Sequence, residues 1–296
     1  MKVSSTILTS DGTRIWINCY IPEKENGKVI IVAPGIGAVQ SLYHLFACFY
    51  RNHGFTVISF DYRGMGLSAP DRLKGYRATL HEWAVQDINA VLLYARHTWQ
   101  KHEIIYVGHC IGGEIIGLSP ASQYISRMVL VSTALTCEKL WPFHHRLWIR
   151  IQKNGHRLLA GMFGYLPGGN KSNRKSLPRG VVKQMANWCD SDNGLFDAYP
   201  DNNYRKLNIP VLAYSFTDDW LCPPKAVREL LNHFSGASVS WFHLKPKDLG
   251  IRSVGHFDFF HPEMRSVLWK SLLRWLEDDW KTTPFKEIHN TEKKIS

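Results

Sequence analysis

Residues 104–117 read Ile-Ile-Tyr-Val-Gly-His-Cys-Ile-Gly-Gly-Glu-Ile-Ile-Gly. The run Ile104–Val107 predicts a buried strand, and the segment that follows the glycines predicts a helix. The intervening G-x-C-x-G predicts a sharp turn, in which small flanking residues leave the Cys110 side chain prominent. Its sulfur would lie at a helix N-terminus, where the positive end of the dipole favours a thiolate. The stretch indicates a nucleophile; the alternative is a glycine-rich turn around an inert, buried cysteine.

Strand and helix patterns alternate on both sides of this turn. A hairpin is predicted around Ser10-Asp11-Gly12, and a C-terminal helix from Pro262 to Trp280. Such alternation is typical of an α/β protein with a mostly parallel sheet and helices on both faces. No strand run occurs between about 135 and 204, which predicts an inserted helical lid. We therefore expect a core of residues 1–134 and 205–280, a lid of residues 135–204, and a polar tail of residues 281–296. Further strands are predicted at 28–33, 55–60, 128–131, 209–214 and 242–244.

Two later loops supply partners for Cys110. Asp218 and Asp219 follow the predicted strand 209–214, and acidic residues at the carboxyl end of a parallel strand point into the site crevice. His256 follows a glycine in the loop before the C-terminal helix. The order nucleophile, acid, histidine is the one found in α/β hydrolases. We predict a triad of Cys110, Asp219 and His256, with Asp218 as the rival acid.

The predicted triad implies a role for each member. His256 takes the thiol proton and later protonates the leaving group, and the acid orients the imidazole. An oxyanion hole needs two donors. We expect these to be the N–H of Ile111, directly after the nucleophile, and the N–H of Ile36, in the loop after strand 28–33.

These motifs together resemble the α/β hydrolases of the serine-aminopeptidase and monoacylglycerol-lipase-like branch, and most closely a bacterial subgroup with the same acid loop. The resemblance covers about residues 25–280. It implies the α/β-hydrolase fold with a lid between strands six and seven, and it favours Asp219, because Asp219 to Pro223 matches the Asp-x-x-x-Pro acid loop of the branch. The matching stretches are APGIG (33–37), DYRGMGLS (61–68), GHCIGG (108–113), SFTDD (215–219) and GHF (255–257).

The nucleophile departs from this branch, which has Ser where Cys110 stands. The local Gly-x-Cys-x-Gly-Gly also resembles polyhydroxyalkanoate synthases, which are acyltransferases, and dienelactone hydrolases. Because a thiolate is a strong nucleophile at neutral pH, we predict an esterase- or thioesterase-like acyl hydrolase with an acyl-cysteine intermediate. One alternative is an acyltransferase or cyclase using the same acyl-enzyme. Another is a non-catalytic binding protein that retains the fold.

Composition limits the remaining possibilities. The chain has 296 residues, 45% of them hydrophobic and 21% charged, which is typical of a globular protein. No apolar run reaches membrane-spanning length, the first residues lack a secretory signal pattern, and the six cysteines form no CxxC pair. We therefore expect a cytoplasmic protein with free thiols. We expect no metal, no cofactor and no nucleic-acid partner.

Charge is concentrated in one segment. Residues 139–189 contain ten of the 36 Lys and Arg and no Asp or Glu, whereas the rest of the chain is nearly balanced. Arg146, Arg150, Lys153 and Arg157 would form one stripe of a helix, as in basic amphipathic helices at interfaces. One interpretation is a lid whose apolar face covers the site while its basic face meets water. The other assigns Trp148, Arg150 and Lys153 to substrate binding. The substrate would be a small acyl compound, and this second interpretation makes it anionic: an acyl-CoA, a carrier-bound acyl group or a lipid at a membrane surface.

Overall fold

In the computed structural model, which describes residues 1–168 and 176–277, an eight-stranded sheet runs through the centre of the chain. The strand order is β1-β2-β4-β3-β5-β6-β9-β10. β1–β2 and β2–β4 are antiparallel pairs, and the remaining neighbours are parallel. The hairpin and the parallel strands predicted from the sequence are thus confirmed. The strands are β1 (Lys2–Leu8), β2 (Arg14–Tyr20), β3 (Lys28–Ala33), β4 (Thr56–Phe60), β5 (Glu103–His109), β6 (Arg127–Val131), β7 (Tyr165–Leu166), β8 (Leu177–Pro178), β9 (Pro210–Phe216) and β10 (Ser238–Leu244).

Helices cover both faces of this sheet. Because side chains alternate along a strand, Val29 and Ile31 of β3 belong to one buried cluster while Ile30 and Val32 belong to another. This is why β3 is apolar at every position from Val29 to Ala33. The helices are α1 (His44–Arg51), α2 (Leu80–Glu82), α3 (Asn89–Thr98), α4 (Ile111–Glu114), α5 (Phe143–Phe163), α6 (Arg179–Asp190), α7 (Leu195–Ala198), α8 (Pro224–Asn232) and α9 (Leu268–Glu277), with a π-helical stretch Trp83–Ile88 between α2 and α3.

The helices divide between the two clusters. Side chains of α3 and α8, such as Val91 and Leu230, pack in the cluster that contains Val29. Side chains of α1 and α9, such as Phe46 and Trp269, pack in the other. The sheet is therefore buried on both sides, as the α/β prediction requires.

The segment between β6 and β9 departs in one detail from the sequence interpretation. It contains α5, α6 and α7, as expected for a helical insertion, but also the two-residue antiparallel pair β7–β8. The prediction that this segment lacks strands is therefore wrong. Two-residue strands are too short to show a period-2 pattern, so they cannot be predicted from the order of the residues.

The end of the chain is described only in part. A 3-10 turn, Pro262–Arg265, precedes α9, where the sequence had predicted one continuous helix from Pro262 to Trp280. Residues 278–280 and the predicted polar tail, 281–296, lie outside the described residues.

Candidate active site

Cys110 occupies a sharp turn between β5 and α4. Its φ of 51° lies in the left-handed region, which a residue with a side chain rarely adopts. Gly112 explains why the motif needs small residues, because a Cβ there would lie 2.6 Å from the carbonyl oxygen of Ala33. The turn packs directly against the loop that follows β3, and the Cys110 side chain remains partly accessible. The sharp strand–turn–helix junction expected from the sequence is present.

His256 and Asp219 meet beside this turn. His256 Nδ1 lies 2.9 Å from one carboxylate oxygen of Asp219 and 3.0 Å from the other. Since a carboxylate accepts, His256 donates its Nδ1 proton to it. The Asp219 side chain is fully buried, and it also accepts a hydrogen bond from the N–H of Leu221. On its other side the His256 ring lies near Cys110, which contributes to the raised pKa of the imidazole.

The surroundings of His256 favour its protonated form. Burial acts to lower the pKa of His256, but the charge of Cys110 and the hydrogen bonds to Asp219 and Cys110 outweigh it and raise the pKa to about 10. A buried cation is stable only when opposite charge and acceptors surround it. His256 thus lies between the Asp219 carboxylate and Cys110, in surroundings that favour its charged form.

The two neighbouring acids do different things. Asp218 Oδ2 accepts from the backbone N–H groups of Val254 (2.9 Å) and Gly255 (3.0 Å), so Asp218 holds the backbone of the histidine loop. Asp219 contacts the imidazole itself. The sequence had left the two open on chemical grounds alone. The structure brings Asp219 to His256.

The loop after β3 lies against the cysteine. A Cβ on Gly35 would lie 3.2 Å from Cys110 Cβ, so the backbone next to Ile36 is in close contact with the nucleophile candidate. Across residues 1–168 and 176–277, no backbone carbonyl accepts a hydrogen bond from Ile36 N–H or from Ile111 N–H. Ile111 is the first residue of α4, where a backbone N–H has no partner within the helix.

Sequence reasoning overlooked Glu114, which is buried four residues after Cys110. Its carboxylate accepts from the N–H of Thr136 (2.6 Å) and from the Thr136 hydroxyl (2.7 Å). Burial raises the pKa of Glu114 to about 7, against the opposing effect of these two bonds. Glu114 ties the nucleophile turn to the segment that leads into α5. A buried acid in an apolar helix was a signal that could have been noticed.

The segment around α5 touches the acid loop through aromatic residues. Trp148 packs edge-to-face on Trp220, with ring centroids 4.5 Å apart, and Trp141 Nε1 donates to the carbonyl oxygen of Trp220 (3.2 Å). Trp220 directly follows Asp219. The structure therefore places Trp148, one of the three lid residues assigned to substrate, at the rim of the candidate site.

The basic stripe of α5 pairs with acidic side chains of the same chain. Arg150 and Lys153 form ion pairs with Glu138, and Lys153 and Arg157 form ion pairs with Asp190. The side chain of Lys153 is only 9% exposed. Arg150 and Lys153 thus have acidic partners within the chain.

The apolar stripe of α5 is largely exposed, so the interpretation in which the apolar face of the helix covers the site is wrong. The physical reason is that two acids, Glu138 and Asp190, lie just outside the basic segment and form ion pairs with its cations. Five stripe side chains are between 63% and 86% exposed: Phe143, Leu147, Ile151, Leu158 and Met162.

Three further observations concern only the described part of the chain. None of its helices combines the length and the apolar character needed to cross a bilayer. No three His, Cys, Asp or Glu side chains within residues 1–168 and 176–277 are grouped as metal ligands. All six cysteines are free thiols.

Comparison with known proteins agrees with this architecture. Residues 28–156 match the model of a family described as alpha/beta hydrolase fold. A soluble variant of monoglyceride lipase from Saccharomyces cerevisiae is similar in structure, with a TM-score of 0.67, 14% identity and 94% of each chain covered. The chain has the α/β-hydrolase fold.

Two esterases share the same fold. A carboxyl esterase from Bacillus coagulans has a TM-score of 0.61 and 14% identity, covering 93% of this chain and 98% of its own. An esterase from Exiguobacterium antarcticum has a TM-score of 0.59 and 17% identity, covering 93% of this chain and all of its own. No curated protein matches the chain in sequence.

Proposed function

We propose that this protein is an acyl hydrolase that cleaves an ester or thioester through an acyl-cysteine at Cys110. The observation that carries the proposal is the Nδ1–carboxylate contact of 2.9 Å between His256 and the buried Asp219, next to a cysteine on a strained turn. Nucleophile, base and orienting acid within hydrogen-bonding reach form the arrangement required for covalent acyl transfer. The esterases and the lipase of the same fold are consistent with this reaction class.

The reaction follows from the positions of the groups. The Cys110 thiolate attacks the carbonyl carbon, and the negative oxygen that forms is bound by the N–H groups of Ile36 and Ile111. The tetrahedral intermediate collapses with cleavage of the bond to the leaving group, which takes the proton carried by His256. Water then attacks the acyl-cysteine and gives a proton to His256. The carboxylic acid leaves, and the thiolate–imidazolium pair is restored.

The rim of the site favours an acyl group with apolar character. Trp148, Trp220 and Leu221 are all more than a third exposed at or beside the acid loop. Arg150 and Lys153, in contrast, are neutralised by Glu138 and Asp190. We therefore assign recognition to the apolar part of the substrate and not to an anionic head group.

A trapping experiment tests the covalent step. The protein is mixed with a p-nitrophenyl ester, quenched in acid and digested, and the peptide that carries the acyl mass is identified. We expect the acyl group on Cys110. Cys48 is the matched control, because it is also a partly accessible thiol beside a histidine, with Sγ 3.8 Å from His44 Nε2, and has no place in the proposed triad. Acylation of Cys48 to the same extent, or steady turnover by Cys110→Ala at the parent rate, would contradict the proposal.

The same trap separates hydrolysis from acyl transfer. With water as the acceptor, the acyl-cysteine decays to the free acid at a rate that is independent of added alcohols or amines. An acyltransferase would form the ester or amide of the acceptor instead. The alternative of a non-catalytic binding protein predicts no acyl-enzyme and no preferential labelling of Cys110 by iodoacetamide.

A further inference from the structure

A buried chain of hydrogen bonds lies behind Cys110 and touches three loops of the site. The N–H of Gly35 donates to Tyr43 Oη over 2.9 Å, and Tyr43 Oη lies 2.8 Å from His109 Nδ1. On the opposite edge of the imidazole, His109 Nε2 lies 2.8 Å from the backbone carbonyl oxygen of His256. Tyr43 and His109 are completely buried. The chain therefore links the loop after β3, the nucleophile turn and the histidine loop.

The position of every proton in this hydrogen-bond chain follows from which of its groups can donate and which can only accept. A carbonyl oxygen only accepts, so His109 carries its proton on Nε2 and donates it to His256. His109 Nδ1 then has a lone pair, which accepts the Tyr43 hydroxyl proton. The Tyr43 oxygen accepts from Gly35. Burial, reinforced by the nearby charge of His256, lowers the pKa of His109 to about 3, so its ring is neutral.

The backbone next to these hydrogen bonds is tightly packed, so the hydrogen bonds fix the position of the loops that they join. A Cβ on Gly35 would lie 2.8 Å from His109 Nδ1, which leaves no space between the loop and the ring. Gly35 directly precedes Ile36, the expected oxyanion donor. His109 directly precedes Cys110, and its other partner is the backbone of the base. One end of this hydrogen-bond chain is thus at the residue before the expected oxyanion donor Ile36, and the other end is the backbone of His256 itself.

We propose that His109 and Tyr43 are positioning residues, which together fix the oxyanion loop and the histidine base around Cys110. This inference rests on the proposed acyl-cysteine function of the same site. Tyr43 orients the peptide that carries the Ile36 donor, through Gly35. His109 holds the backbone of His256 and so sets the position of its ring relative to the thiolate.

This division of roles predicts different kinetic effects for the two residues. Acylation by an ester forms a tetrahedral oxyanion, but alkylation by iodoacetamide is a displacement at carbon that forms none. Tyr43→Phe should therefore slow acylation about tenfold or more, with KM unchanged, and leave the alkylation rate of Cys110 as it is. His109→Leu should slow both reactions. His109→Gln should restore much of both, because an amide offers one acceptor and one donor.

Tyr50→Phe is the matched control for the loss of a buried hydroxyl. Tyr50 is also fully buried, and its hydroxyl donates to the carbonyl oxygen of Trp269 (2.9 Å), away from the loops of the site. It should lower stability as Tyr43→Phe does, yet leave kcat within about twofold, since a lost hydrogen bond costs stability wherever it lies. Equal loss of kcat in the two variants would overturn the positioning role. So would a fall in alkylation equal to the fall in acylation for Tyr43→Phe.

A spectroscopic readout makes the inference independent of activity. In the Cys110→Ala variant with ¹⁵N-labelled histidine, one ring should be locked in the Nε2–H form and should not titrate between pH 5 and 8. Its signal should be missing in a second variant that also carries His109→Gln. An Nδ1–H form, or titration near pH 6.5, would refute the chain of hydrogen bonds even if the acyl-enzyme is confirmed. Conversely, turnover of esters by Cys110→Ala at the parent rate would contradict the proposed function. The tautomer of His109 would still be determined separately from the ¹⁵N spectrum.

Discussion

The candidate active site and the charged face of α5 both consist of ionisable side chains in contact, but they lie in different environments. The Asp219 side chain is fully buried and that of His256 only 9% exposed, whereas that of Arg150 is 61% exposed although it pairs with Glu138. Charges attract more strongly away from water, and exposed pairs are screened by solvent and salt. In the buried site the surroundings change the protonation state of His256. On α5 the same kind of contact mainly fastens one helix to its neighbours.

The number of charges in a segment therefore says little about its function. Ten cations without an acid made residues 139–189 the most conspicuous feature of the composition. Glu138 and Asp190 stand just outside that window, and in the structure they pair with its central cations. The proposed catalytic triad, in contrast, consists of one carboxylate, one imidazole and one thiol.

Removing the thiol should have the largest effect. Cys110→Ala should lower kcat for a p-nitrophenyl ester on the order of 10⁶-fold, because no nucleophile remains for the covalent step. Cys110→Ser should keep measurable activity, since the same His–Asp pair can activate a hydroxyl. Steady-state kinetics and the acyl-enzyme trap measure both. Parent-rate turnover by the alanine variant would mean that the buried site is not the reactive one.

Neutralising the buried acid should come next. Asp219→Asn should lower kcat by about 10⁴-fold, because an amide can donate to His256 and hold it in the wrong tautomer. Asp218→Asn is the control, and it should cost less than about tenfold, because its amide oxygen still accepts from Val254 and Gly255. Both are measured by ester hydrolysis. The reverse ranking would transfer the acid role to Asp218.

The pH dependence should show that the His256 cation is stabilised by folding. Its pKa rises from the ordinary value of 6.5 to about 10 in the folded protein, mainly through Cys110 and Asp219, which outweigh the effect of burial. The resulting stabilisation is fully present below about pH 6.5 and is lost as pH rises through about 10. Urea unfolding at pH 7 and 10 should therefore show a larger loss of stability in the parent than in His256→Gln. Equal losses would show that the imidazolium is not stabilised by the fold.

Neutralising the cations of α5 should have the smallest effect. Arg150→Gln with Lys153→Gln should leave activity nearly unchanged. It should lower thermal stability more through Lys153, whose side chain is only 9% exposed, than through Arg150, whose side chain is 61% exposed, since an exposed ion pair is worth about 0–1 kcal/mol. KM for a neutral ester and for an acyl-CoA should change by the same small factor. Lys139→Gln, which breaks an exposed pair with Asp192, is the control. A rise in KM for the acyl-CoA alone would restore the anionic-substrate interpretation of Arg150 and Lys153 and remove the contrast with the buried site.

The sequence by itself predicted the α/β fold, which the structure confirms, and proposed the residues of the candidate site. The alternation of strand and helix patterns predicted the parallel sheet, because strands buried on both faces are apolar over most of their length, as β3 is from Val29 to Ala33. The glycines around Cys110 predicted the sharp turn, since they permit a close approach that a side chain would block. These features are local or periodic, so they are legible in the order of the residues.

Only the tertiary structure decided which partner each of several similar side chains contacts. Asp218 and Asp219 are chemically identical, and the path of the loop alone sends one to the backbone of Gly255 and the other to the His256 ring. The ion pairs of the basic stripe on α5 likewise depend on distant residues. Glu138 is 12 residues from its partner Arg150, and Asp190 is 37 residues from its partner Lys153. The tautomer of His109 is set by a carbonyl 147 residues away. Such contacts follow from the packing of distant segments, and no local pattern in the sequence encodes them.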